Sequence, residues 1–182
     1  MNSVNFQQII NFWFTEIKPS QWWVKDEKLD QEIKNRFSEV HQQAISCELF
    51  DWRKTPEGRL AEIIVLDQFS RNMFRGSAES FKNDSLALAL AQEAISVGAD
   101  QRLSQTQRGI LYLPFMHSES VVIHERALAL YQQCGVKPNL DAQIKHKKII
   151  DQFGRYPHRN AVMGRPSTKQ EGVFLKLPNS GF

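Results

Sequence analysis

The stretch DSLALALAQEAISVG, residues 84–98, decides between a helical and a mixed fold. Its Leu86-Ala87-Leu88-Ala89-Leu90-Ala91 run alternates with the period of two expected of a strand. Leu and Ala, however, are strong helix formers, and neither is β-branched. Asp84 in front supplies an N-cap, and Gly98 behind supplies the left-handed stop that helix ends favour. The stretch reads as helix.

The flanking sequence reads the same way. Phe6, Ile9, Ile10, Trp13 and Ile17 recur at helical spacing before Pro19, and Leu29, Ile33, Phe37, Val40 and Ala44 mark an amphipathic helix. Thr55-Pro56 pairs an N-cap with a first-turn proline and starts a helix through LAEIIVLDQF. Ser104-x-x-Gln107 is a capping box, with Pro114 as the stop. Ser118 caps the next helix, which stops at Gly135; Asn139 or Asp141 starts another, ended by Gly154; a last one starts at Ser167 with Gln170 completing its box. The sum is about eight helices and no strand, hence an all-α fold of stacked antiparallel helical hairpins, expected as one domain over residues 1–182.

Bulk composition excludes several classes. With 182 residues, 41% hydrophobic and 24% charged, the chain is an ordinary globular sequence. It has no basic start before an apolar stretch, and no apolar run nears the ~18 residues of a membrane span. Cys47 and Cys134 stand far apart without metal-ligand spacing, so they read as free thiols and the expected address is cytoplasmic. Net charge is +3, yet Lys145 to Arg165 holds six Lys or Arg against one Asp. The basicity is local.

That basic segment contains a repeat. Asp67, Gln68, Phe69, Arg71 and Arg75 recur as Asp151, Gln152, Phe153, Arg155 and Arg159, 84 residues on. An offset of this size holds two helical hairpins of ~42 residues. In the first copy, Asp67 and Arg71 share a helix face. Arg71, Asn72 and Arg75 either satisfy carbonyls of an irregular loop or fork a carboxylate or phosphate. In the second, Arg155, His158, Arg159, Asn160 and Arg165 lie on a Gly- and Pro-punctuated loop, where binding residues concentrate. His158 titrates near neutrality unless perturbed. Phe153 and Tyr156 form no RNA-binding pattern, so nucleic acid is not an expected partner. His117 and Glu119 stand as H-x-E at a helix start, too few ligands for a metal. No Gly-rich phosphate loop or nucleophile elbow is present, and no cofactor is implied. The tandem Trp22-Trp23 is either core or a pocket wall.

Together, FWF (12–14), WW-x-KD (22–26), TPEG-x-LA (55–61), LDQF-x-RNMFRG (66–76), LYLPFMHSE (111–119) and FGRYPHRNAVMGR (153–165) resemble the bacterial domain-of-unknown-function 924 family. The resemblance extends through Ser167–Leu175 to the terminal Phe182. It implies an all-α, tetratricopeptide-like fold and no particular activity. Asp67, Gln68, Arg71, Asn72, Arg75, His117, Glu119, His146, Arg155, His158, Arg159 and Asn160 match the family pattern. Ser70 stands where the family usually has Pro, and Asp151-Gln152 is particular to this chain.

Three functions remain open. The first is a pocket for a small anionic ligand or partner segment, lined by Asp67, Gln68, Arg71, Asn72, Arg75, Arg155, His158, Arg159 and Asn160, with acid–base chemistry by His117, Glu119 or His158 as its open part. It requires the two loops to converge; Arg71 and Arg159 more than ~20 Å apart would exclude a shared site. The second is a helical-repeat scaffold that binds a protein partner. In the third, the polar motifs only brace loops.

Overall fold

The computed structural model describes residues 4–178 and 180–181, so the terminal Phe182 of the family pattern lies outside the described residues. These residues form an all-α fold with no strand among them. The α-helical segments are α1 (Phe6–Asn11), α2 (Glu27–Ile45), α3 (Pro56–Ile64), α4 (Ser70–Met73), α5 (Asp84–Ser96), α6 (Gln105–Leu111), α7 (Leu113–His117), α8 (Val121–Cys134), α9 (Lys137–Phe153) and α10 (Lys169–Phe174). A π-helical turn, Val65–Phe69, runs α3 directly into α4, and α6 meets α7 at Tyr112. None of these helices is long and apolar enough to cross a membrane.

The 84–98 stretch is helical, as its leucines and alanines require. Ala87, Ala91 and Ala94 are fully buried, so a helix face of small residues seats α5 against α3 and α7. Thr55 caps α3 by accepting from the Gly58 amide, and Ser104 with Gln107 closes the expected box on α6. Gly98, Gly135 and Gly154 take left-handed φ behind α5, α8 and α9.

Several boundaries differ from the sequence reading. Asn83, not Asp84, occupies the cap position of α5, and Asp84 turns its carboxylate elsewhere. Ser120, not Ser118, caps α8, because the Ser118 carbonyl is taken by His124 Nε2 and its hydroxyl by the Ser120 amide. α9 starts at Lys137, before Asn139 and Asp141, since Pro138 needs no amide partner in a first turn. Thr168 with Glu171, not Ser167 with Gln170, forms the last box. Pro114 does not end a helix; it sits in the first turn of α7.

The π turn is the feature with consequences. The helix that sequence periodicity continues through Asp67 is widened by one residue here, and all five residues of the turn are buried. Phe69 turns into the main core, stacked on Phe37 at 5.0 Å and edge-on to Phe12 at 5.9 Å, while Asp67 meets His117 and Arg71. Trp22 belongs to that core too. It stacks on Trp13 at 5.9 Å and donates Nε1 to the Trp13 carbonyl at 3.0 Å, whereas Trp23 is exposed. Both cysteines are free; Cys134 is buried and Cys47 exposed. A smaller apolar cluster joins Ile149, Ile150 and Tyr156 to Phe153 and Phe174.

Phe69→Ala is expected to lower unfolding free energy by about 3–5 kcal/mol, the usual cost of truncating a buried ring. Urea denaturation measures it; a loss under about 1 kcal/mol would mean that the π turn is not anchored by this ring.

Candidate functional site

Asp67 is 1% exposed and takes three donors. His117 Nδ1 lies 2.8 Å from Oδ1, Gln68 Nε2 donates to Oδ2 at 2.6 Å, and Arg71 Nη1 is 3.2 Å from Oδ1. The i,i+4 pairing of Asp67 and Arg71 follows from helical spacing, and Arg71 also donates to the Asp67 carbonyl at 2.8 Å. Burial opposes ionisation of Asp67, yet Arg71 and His117 hold its carboxyl well below the usual carboxylate range.

The two arginine loops meet on a third residue. Arg71 forks Asp84, Nη1 to Oδ1 at 3.0 Å and Nη2 to Oδ2 at 3.1 Å. Arg159 reaches the same carboxylate, Nη1 to Oδ2 at 3.2 Å, and donates Nη2 to the His117 carbonyl at 3.0 Å. Both guanidinium groups face the Phe81 ring, Arg71 at 5.7 Å and Arg159 at 4.4 Å, and Arg159 also stacks on Tyr156 at 4.6 Å. Hydrogen bonds and the Asp67–Arg71 ion pair therefore close a ring, from His117 Nδ1 through Asp67, Arg71, Asp84 and Arg159 back to the His117 carbonyl.

This ring sets the state of His117. Burial, and after it the Arg71 charge, push its pKa below the ordinary value despite the pull of Asp67. The ring is neutral at pH 7. Because ionised Asp67 can only accept, the proton sits on Nδ1 and the lone pair on Nε2. The side chain is 14% exposed, and Nε2 has no hydrogen-bond partner among the described residues.

Glu119 and His158 flank this ring. Glu119 accepts the Tyr156 amide at 2.8 Å and a fork from Arg165 at 2.6 and 2.9 Å. Burial opposes its ionisation, but Arg165 and the Tyr156 amide lower its pKa. His158 lies 5.5 Å from the Tyr156 ring, with Gly181 packed against it. Burial, then the Arg159 charge, lowers its pKa to about 4. His146 and His124 complete the setting of Tyr156, at 5.8 and 6.2 Å. No group of three or more His, Cys, Asp or Glu among the described residues could hold a metal.

Other residues of the two motifs lead away from the ring. Asn72 and Arg75 both close on Asp30 of α2, at 2.7 Å for Asn72 and 2.6 and 2.8 Å for Arg75. Arg155 forks Glu171 at 2.6 and 2.9 Å, and Asn160 donates to Ser167 at 3.1 Å. The repeated Asp-Gln pair has no common role. Asp67 is 1% exposed, whereas the Asp151 side chain is 45% exposed and pairs with Lys147. Surface clefts on α1 and α2, around Arg36, share no lining residue with the ring.

Sequence reasoning missed Asp84, Asp30 and Glu171, the carboxylates on which these arginines close. One signal was available. Each motif holds more arginines than acids, and buried guanidinium groups need acceptors from elsewhere in the chain.

Acid should loosen this region. His146 and His158 ionise near 6.5 when unfolded but at about 3 and about 4 in the fold. The unfolded chain therefore binds the extra protons first. Stability present above pH ~6.5 falls as pH drops towards ~4, by up to about 1.4 kcal/mol per pH unit for each histidine. Urea midpoints across that window should decline, and His158→Gln should flatten the slope. A midpoint independent of pH there would contradict the buried neutral assignment.

The fold has a counterpart among solved structures. The structure of a protein of unknown function, ATU0120, from Agrobacterium tumefaciens is 38% identical, with a TM-score of 0.89 over 94% of this chain and 96% of that one. No curated protein matches the chain. The family model described as "Bacterial protein of unknown function (DUF924)" matches residues 9–179, and the chain belongs to that family.

Proposed function

We propose that the chain binds a small carboxylated or phosphorylated ligand where the 66–76 and 154–165 segments meet, and that His117 is the proton acceptor there. The observation that carries this reading is the contact of His117 Nδ1 with the ionised, buried Asp67 at 2.8 Å. A carboxylate behind an imidazole fixes its tautomer and leaves the far nitrogen basic, as general-base sites require. Arg159 supports the ligand class. Its Nε is buried without a partner, and its bond to Asp84 is a single contact at 3.2 Å. An anion near it would be attracted by a stacked, preorganised guanidinium. The π turn that aims Asp67 is also of a kind found frequently at functional sites.

Bracing accounts for the remaining motif residues. Asn72 and Arg75 fasten the 71–76 segment to α2 through Asp30, and Arg155 fastens the 154–166 segment to α10 through Glu171. In a pure scaffold, all of the polar residues would serve this way.

A thermal-shift screen of carboxylated and phosphorylated metabolites separates the two. A ligand at ~100 times its Kd adds about 2.7 kcal/mol, a rise of several degrees. At least one compound should raise the melting temperature of the wild type but not of folded His117→Gln. Equal shifts in both proteins, or no shift with any compound, would contradict the site.

A further inference from the structure

We infer that Asp84 is the positioning residue of this site, holding Arg71 and Arg159 so that Asp67 stays free to fix the His117 ring. The inference rests on the reading of His117 as the proton acceptor and adds the residue that orders it. Asp84 stands in the first turn of α5, where a carboxylate ordinarily serves the free amides of its own helix. Asn83, in the cap position, makes no side-chain capping bond. Asp84 instead accepts from guanidinium groups 13 residues before and 75 residues after it. Its side chain is 17% exposed, so it is held inside the fold rather than left to water.

The geometry gives Asp84 a specific task. Arg71 has two carboxylates within reach, Asp67 at 3.2 Å and Asp84 at 3.0 Å. While the fork of Arg71 is on Asp84, the Asp67 oxygen nearest His117 makes its shorter contact, 2.8 Å, with Nδ1. Without the Asp84 charge, Asp67 is the carboxylate left to Arg71. Arg71 then closes on Asp67 in competition with His117, and Arg159 loses the partner that keeps it against the His117 carbonyl. The charged groups acting on His117 are Asp67, Arg71 and Asp84, with Arg159 on its carbonyl; His124 of α8 and His146 of α9 are the titratable neighbours from the helices behind. A brace with no such task would affect stability and leave the imidazole as it was.

Imidazole ¹⁵N shifts at neutral pH report the tautomer directly in the full chain. The wild type should show His117 as one tautomer, Nδ1–H. Asp84→Asn, folded by circular dichroism, should show a shifted, mixed population with Nε2–H, and Asp84→Glu should return the single tautomer. If Asp84→Asn does not fold, Asp84→Glu carries the test: its displaced carboxylate should keep the tautomer while moving both ring nitrogen shifts, and unmoved shifts overturn the inference. A wild-type tautomer in folded Asp84→Asn also overturns it, leaving the proton-acceptor reading intact. An Nε2–H tautomer in the wild type overturns both.

Discussion

A ring of hydrogen bonds, closed by the Asp67–Arg71 ion pair, runs from His117 through Asp67, Arg71, Asp84 and Arg159 back to His117 and holds the site together. It ties together the π turn after α3, α4, the start of α5, the end of α7 and the segment after α9. None of these charges is cheap to bury singly, because an unpaired guanidinium or carboxylate loses its hydration without compensation. Closed on one another, two arginines and two aspartates balance, and the ring leaves a neutral imidazole beside them. Phe81 and Tyr156 finish the arrangement by stacking on Arg159, which exchanges water for aromatic faces.

Much of the fold is legible in residue order. The leucine and alanine run of α5, the Thr55 cap, the Ser104 box and the glycines after α5, α8 and α9 act locally, and local rules read them correctly. Two of the errors arise from competing side-chain partners. Ser118 is a good cap by composition but loses its carbonyl to His124, a residue of the helix it was expected to start. Asp84 is a good cap by composition but serves arginines from two distant segments. In both cases a side-chain partner outbids the capping role, six residues on for Ser118 and in distant segments for Asp84, and propensity carries no information about such partners.

The candidate site divides in the same way. Asp67 with Arg71 is visible as an i,i+4 pair, and the meeting of the two arginine loops follows from the polar residues that repetition brings to notice. The repetition itself misleads, since Asp67 is buried in a π turn whereas Asp151 is a surface partner of Lys147. Nothing in periodicity announces a π turn, because the inserted residue costs the helix no hydrophobic position. Asn72 and Arg75 read as site residues by proximity in sequence, yet they fasten a loop to α2 through Asp30. Short motifs combine residues of different duty, and only the position of each carboxylate acceptor separates them.

Arg71 and Arg159 act on one carboxylate, Asp84, as a unit. A double-mutant cycle with Arg71→Gln and Arg159→Gln, measured by urea denaturation, tests it most directly. Residues that share a network couple by about 0.5–3 kcal/mol, and the account predicts a value in that range. Additivity within about 0.3–0.5 kcal/mol would show two independent loops and contradict the ring.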